Sequence, residues 1–264
     1  PWQEYTRRQA EFQQAEIALS NRDFSEFDEL LLKLKDYPVV AYLEYDALRQ
    51  KLKQTSAEEV RLFLQRHDDY PFRYHLLSKW LDLLASRKEW SAYLDFYDGR
   101  NATRYKCLAL TARLKTGQSS GINQDIEKLW ATGYSQPDEC DLPFQHFLQT
   151  DDDVYASVWS RIEKAFEARR PSLAKYLAKK LPDGDRKLVD EWYQAHRDPQ
   201  QRLGLLADYE DSLINRKIIT HALQRLARKN SLLARENWTI IRDSFQFSEL
   251  QISQIDKRIA LSAA

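Results

Sequence analysis

Two short motifs have residue types and spacing suited to acyl-transfer chemistry. Ser172-Leu173-Ala174-Lys175 has the Ser-x-x-Lys spacing that sets a lysine one helical turn from a nucleophilic hydroxyl, and Lys115-Thr116-Gly117 has the composition of the Lys-Thr-Gly box that accompanies it in penicillin-binding enzymes. Their order argues against that chemistry. In those enzymes the serine box comes first, a Ser-Asp-Asn element intervenes, and the Lys-Thr-Gly box lies on a strand. Lys115 to Gly117 reads instead as a helix end with a glycine cap. No nucleophile elbow, phosphate-cradling loop, dinucleotide fingerprint or His-Glu-x-x-His helix is present. Carboxylate pairs and triplets occur at Glu58-Glu59, Asp68-Asp69 and Asp151-Asp152-Asp153, where a helix dipole would favour negative charge, so they read as caps. Arg216, Lys217, Arg225, Arg228, Lys229 and Arg235 form a locally basic stretch suited to a polyanion or, in a chain of balanced charge, to a solvated helical face or a contact with another part of the protein.

The two cysteines, Cys107 and Cys140, have two readings. Three stacked helices would let them meet and form a disulfide, worth about 3–4 kcal/mol in the chain-entropy model. Two buried free thiols are the other reading. A metal site would need further ligands, and the five histidines are scattered singly, so neither metal nor cofactor is expected.

The elements that must position these residues are helices. Gly 6 and Pro 8 are few for 264 residues, and apolar residues recur at three- and four-residue spacing. Helices are expected at Trp2–Asn21, Phe24–Leu34, Val39–Gln54, from the Ser56 to Glu59 capping box onward, and at Pro71–Ser86. They continue at Lys88–Tyr97, Asn101–Thr116, Gly121–Ala131, Glu139–Gln149, Asp152–Arg169, Pro171–Lys180 and Asp185–His196. The last four are Gln200–Tyr209, Ser212–Lys229, Ser231–Phe245 and Ser248–Leu261. Asp98-Gly99, Gly117, Gly133 and Asp183-Gly184 mark helix ends. Aromatic residues, Trp2, Trp90 and Trp159 among them, are expected in the core rather than as sugar platforms. About sixteen short helices with short connections predict an all-α chain of antiparallel pairs stacked into a curved right-handed solenoid, with a compact non-repeating bundle as the alternative.

Charge excludes some partners. The 40 basic residues balance the 40 acidic ones, which gives no field for nucleic acid, and no apolar run is long enough to span a membrane. The chain has no methionine and does not begin with a basic-then-apolar leader, as expected where a signal peptide has already been removed.

Two segments carry a family resemblance. Leu34-Lys35-Asp36-Tyr37-Pro38-Val39-Val40-Ala41-Tyr42-Leu43-Glu44-Tyr45 resembles the Leu-x-Asp-Tyr-Pro-Leu-x-Pro-Tyr-Leu-x-Tyr signature of soluble lytic murein transglycosylases. The run Leu129-Trp130-Ala131-Thr132-Gly133-Tyr134-Ser135-Gln136-Pro137-Asp138-Glu139-Cys140-Asp141 is similar to the family's Leu-Trp-x-x-Gly-x-Ser-x-Pro-x-x-Cys-Asp element. Looser similarity runs through Ala222 to Arg228 and Trp238. Residues 1–145 match best, and the whole of 1–264 is expected to be one superhelical U-domain segment. The resemblance implies a disulfide between Cys107 and Cys140 and an oxidising, periplasmic location.

It further implies a U-shaped superhelix that helps to close a ring bearing a lysozyme-like catalytic domain. There a glutamate, acting as acid and then base, lets the muramic acid 6-hydroxyl displace the glycosidic oxygen, leaving 1,6-anhydromuramyl ends on peptidoglycan. The Glu-Ser, Gly-Leu-Met-Gln and Ala-Tyr-Asn-Ala-Gly elements of that domain do not occur between Pro1 and Ala264, so no catalytic residue is carried over. The implied partners are glycan strands, through the parent enzyme, and its linker and catalytic domains. A stand-alone helical adaptor for a protein partner is the alternative.

Overall fold

The computed structural model describes residues 2–206 and 209–263. They form sixteen α-helices, one 3₁₀ turn at Asp138–Cys140, and no strand among the described residues. The chain divides into two compact units, one ending at Ser120 and the other starting at Gly121.

The first unit holds α1 (Trp2–Ser20), α2 (Phe24–Lys33), α3 (Val40–Lys51), α4 (Ala57–Arg66), α5 (Phe72–Arg87), α6 (Trp90–Phe96) and α7 (Thr103–Lys115). Among consecutive helices, α1 with α2, α5 with α6 and α6 with α7 pack closely, while α3 packs against α1 and α5. Ala15, Leu19, Phe27, Leu30, Leu34 and Leu43 build one apolar cluster across α1 to α3. A second gathers Val60, Leu76, Trp80, Leu81, Leu84, Tyr93 and Ala112. Trp80 contributes more than any other of these, being 1% exposed and set edge-on to Phe96 at 5.8 Å.

The second unit holds α8 (Ile122–Trp130), α9 (Asp141–Thr150), α10 (Val154–Glu167), α11 (Pro171–Ala178), α12 (Asp183–Arg197), α13 (Pro199–Leu206), α14 (Leu213–Lys229), α15 (Ser231–Ile241) and α16 (Glu249–Ala263). Its buried apolar residues keep helical phase, as in Val158, Ile162, Ala165 and Phe166 of α10 and Ile218, Ile219, Ala222 and Leu223 of α14. Of the helix expected at Gln200–Tyr209, positions 207 and 208 lie outside the described residues.

Sixteen helices match the sixteen expected, with ends shifted by a few residues and three glycine-bearing or acidic sites read differently. Gly184 does not end a helix but lies in the first turn of α12, with Pro182 preceding that helix. Asp68-Asp69 do not open a helix; they lie in the turn after α4. Gly133 is not a left-handed cap. A Cβ there would fall 2.1 Å from the Lys164 carbonyl oxygen of α10, so close backbone approach is what demands glycine. Gly117, by contrast, has φ +75 and caps α7 as expected.

Candidate functional site

The two acyl-transfer motifs fall one in each unit and neither is assembled for catalysis. Lys115 closes α7, Thr116 caps it, and the Gln118 N–H donates to the Arg113 carbonyl at 2.8 Å, the six-to-one bond of a Schellman end. Lys175 sits on α11, but its ammonium pairs with Asp190 at 3.2 Å and lies 4.7 Å from the Tyr193 ring centroid. Its ammonium is thus engaged by Asp190 and Tyr193 of α12 and not by Ser172.

The carboxylates are structural. Asp153 caps α10 by accepting the Ala156 N–H at 3.2 Å, and Asp151 accepts the Ser157 hydroxyl at 3.0 Å. Ser56 and Glu59 form the reciprocal capping box of α4, and the Ser56 backbone and side-chain hydrogen bonds hold the Glu59 carboxyl below its ordinary range. No cluster of three or more metal-ligating side chains occurs among the described residues. Cys107 and Cys140 are fully buried, and neither is a free thiol.

The basic stretch divides. Lys217 is paired with Glu163 of α10, and Arg216 bonds Asp211 at 2.9 Å and donates to the Gln246 carbonyl. Arg225 and Arg228, three residues apart on α14, instead face Arg169 after α10, and Arg258 of α16 adds its charge beside Arg228. Burial first, then these like charges, pushes both guanidinium pKa values down. One turn earlier on α14, His221 meets His196 of α12 at 3.0 Å between ring nitrogens, with Phe166 and Trp192 stacked at 4.8 Å beside them. Burial is the larger cause, and neighbouring cations the smaller, that lowers His196 to about 4 and His221 to about 3. Both rings are therefore neutral at physiological pH, and one donates the shared proton to the other.

A groove of about 760 Å³ opens among α8, α9, α10 and α11 of the second unit. Arg161 of α10 lies in its wall and is only 3% exposed. Its guanidinium stacks over Trp130 at 4.3 Å and Phe144 at 5.0 Å, and Nη2 donates to the Tyr134 carbonyl at 3.3 Å. No acidic side chain pairs with it, and its buried Nε has no acceptor among the described residues. Desolvation pushes its pKa down to about 10, so it remains a cation at neutral pH. Tyr176, 57% exposed, and Lys180 line the same groove. Sequence reading missed Arg161 and the histidine pair. The legible signal for Arg161 was a cation at an apolar phase position, three residues after Val158 and four before Ala165.

The fold and these groups define an all-helical array that carries an open groove and, among the described residues, no metal-ligating cluster. The relatives of that array are soluble lytic murein transglycosylases, to which this chain is homologous along nearly its whole length. No protein-family model matches it. The soluble lytic murein transglycosylase of Escherichia coli K12 is 26% identical over 254 residues, 96% of this chain and 39% of its own length. The Salmonella typhimurium enzyme of the same name is 30% identical over 172 residues, 65% of this chain and 27% of its own. Among solved structures, lytic transglycosylase Slt of Pseudomonas aeruginosa superposes with a TM-score of 0.80 at 31% identity, covering 96% of this chain and 41% of that one. The 70 kDa soluble lytic transglycosylase in complex with bulgecin A superposes at 0.81 with 25% identity, covering 97% and 42%. The chain thus spans about two fifths of the length of the relatives it matches along nearly all of its own.

Proposed function

We propose that this chain is the helical scaffold portion of a periplasmic peptidoglycan lytic transglycosylase, corresponding to the amino-terminal superhelical part of its relatives. In this reading it forms part of a curved ring that supports a catalytic domain, and the complete enzyme cleaves glycan strands between N-acetylmuramic acid and N-acetylglucosamine to leave 1,6-anhydromuramyl ends. The observation that carries the reading is the superposition on the Pseudomonas aeruginosa enzyme over 96% of this chain. The unassembled motifs at Lys115–Gly117 and Ser172–Lys175 fit the same division of labour: the scaffold positions, and the chemistry lies elsewhere. A periplasmic location accords with two cysteines of which neither is free, and no described helix is long and apolar enough to cross a membrane.

The test is to incubate purified sacculi with this chain alone, with a catalytic portion of a relative, and with the two supplied as one polypeptide. We expect no 1,6-anhydromuropeptides from the chain alone and more from the joined protein than from the catalytic portion by itself. Product from the isolated chain would overturn the division of labour. Equal product with and without the scaffold would favour a stand-alone adaptor, as would a gene ending near Ala264.

A further inference from the structure

A buried guanidinium with no acid beside it is an unbalanced feature in a helical array, and its surroundings indicate what would balance it. Arg161 has five N–H donors, of which the fold engages one, at the Tyr134 carbonyl. Its Nε is buried without an acceptor. Arg161 lines the groove, and a guanidinium is the group that matches the oxygens of a planar carboxylate. Trp130 and Phe144 hold the plane by stacking, and Trp130 is itself fixed by donating its indole N–H to the Ser157 carbonyl at 3.0 Å. The cation is therefore pre-positioned, and the groove beside it is large enough for a disaccharide-sized ligand.

The rest of the lining selects among anions. Gln145 and Gln149 offer neutral amides, suited to hydroxyl and acetamido groups, and Tyr176 offers an exposed aromatic face for a sugar ring. Asp141 and Lys180 at the same groove carry opposite charges, so the shape match of the planar guanidinium to a carboxylate is what favours that anion.

We propose that this groove is a glycan site, one that binds a carboxylate-bearing amino-sugar fragment of peptidoglycan through Arg161, with Tyr176 against the sugar and the glutamines on its polar substituents. The proposal rests on the peptidoglycan reading above. A glycan strand held here is anchored on the scaffold.

Calorimetric titration of the 264-residue chain tests this with three probes: a disaccharide containing N-acetylmuramic acid with its free lactyl carboxylate, chitobiose, which has no carboxylate, and an acidic stem tetrapeptide without sugar. The muramyl disaccharide is expected to bind roughly ten- to a hundredfold more tightly than chitobiose, the range of a charge-assisted hydrogen-bond pair. Arg161→Gln should abolish that preference and Arg161→Lys should retain part of it. Ser172→Trp, an exposed position on the groove rim, should block binding with the core untouched, which decides the matter if Arg161→Gln does not fold. Arg161-dependent binding of the tetrapeptide would place the recognised carboxylate on the peptide and keep the anion site, while removing the sugar. Equal affinity for the disaccharide and chitobiose, or wild-type affinity in both Arg161→Gln and Ser172→Trp, overturns the proposal. Those results leave the scaffold reading standing, because that reading is judged on anhydromuropeptide yield and not on binding.

Discussion

Four positions inside the fold show what single residues contribute. His196 and His221 share one hydrogen bond inside an apolar and cationic surround, so the fold favours their neutral forms. A base whose pKa falls on folding binds fewer protons folded than unfolded, and stability must then drop as pH falls below the unfolded value near 6.5. Stability is complete above that value and is lost down to pH about 4, where His196 itself takes a proton. Urea unfolding at pH 5 should show a loss of about 2 kcal/mol from the first of these histidines alone. The double variant His196→Gln with His221→Gln should be flatter between pH 7 and pH 5, and an unchanged slope would remove the pair from the account. Gly133 makes a different demand, since any Cβ there meets backbone of α10. Gly133→Ala should cost about 2–3 kcal/mol by overpacking, read as a lowered Tm. Arg161 is the costliest of the three kinds of residue to bury, because no carboxylate among the described residues pairs with it and only Trp130, Phe144 and the Tyr134 carbonyl offset its charge.

Elements here are held by ends as much as by faces. α10 begins at an aspartate triplet that resembles a catalytic or metal-binding cluster in sequence, yet Asp153 is a cap and Asp151 a hydroxyl acceptor. The discriminating experiment is a pair of substitutions. Asp153→Ala should lose about 1 kcal/mol in thermal or urea unfolding, and Asp153→Asn should lose far less, because asparagine caps about as well without the charge. Similar losses in both variants would show that charge, not capping, is what the position supplies. α8 has the clearest single apolar stripe, Ile122, Ile126 and Trp130, and was readily found from spacing. α7 was found from its caps and propensities instead, since Cys107 through Ala112 are all buried and no polar stripe marks a solvent face.

The whole molecule has one expected covalent constraint. We propose that Cys107 and Cys140 are bonded to each other, a pairing supported by a chain with two cysteines, neither of them free. Thiol titration in denaturant without reductant should find no reactive thiol, and two after reduction. Reduction should lower stability by about 3–4 kcal/mol in the chain-entropy model. Two thiols before reduction would sink both the bond and its support for an oxidising compartment.

How much of this was legible without coordinates follows from the range of each interaction. Helix number, most helix ends and the buried stripes are local, set within about four residues by propensity, capping and the 3.6-residue period, and so they could be read from the chain. The Ser56 to Glu59 box and the Gly117 cap are of this kind. Trp2, expected in the core, shows the limit: it lies on α1 but is 82% exposed, because no other described element covers it. Gly133 was misread for the same reason, since its constraint comes from Lys164, far along the chain. The histidine pair joins residues 25 apart, and the Arg161 site draws on α8, α9, α10 and the Tyr134 carbonyl. Sequence alone determined that this protein is all-helical and that the Ser56 to Glu59 box starts a helix and Lys115 to Gly117 ends one. Only tertiary packing decided where charge would be buried without a partner, because desolvation depends on every element around a group and is written in no single stretch of the chain.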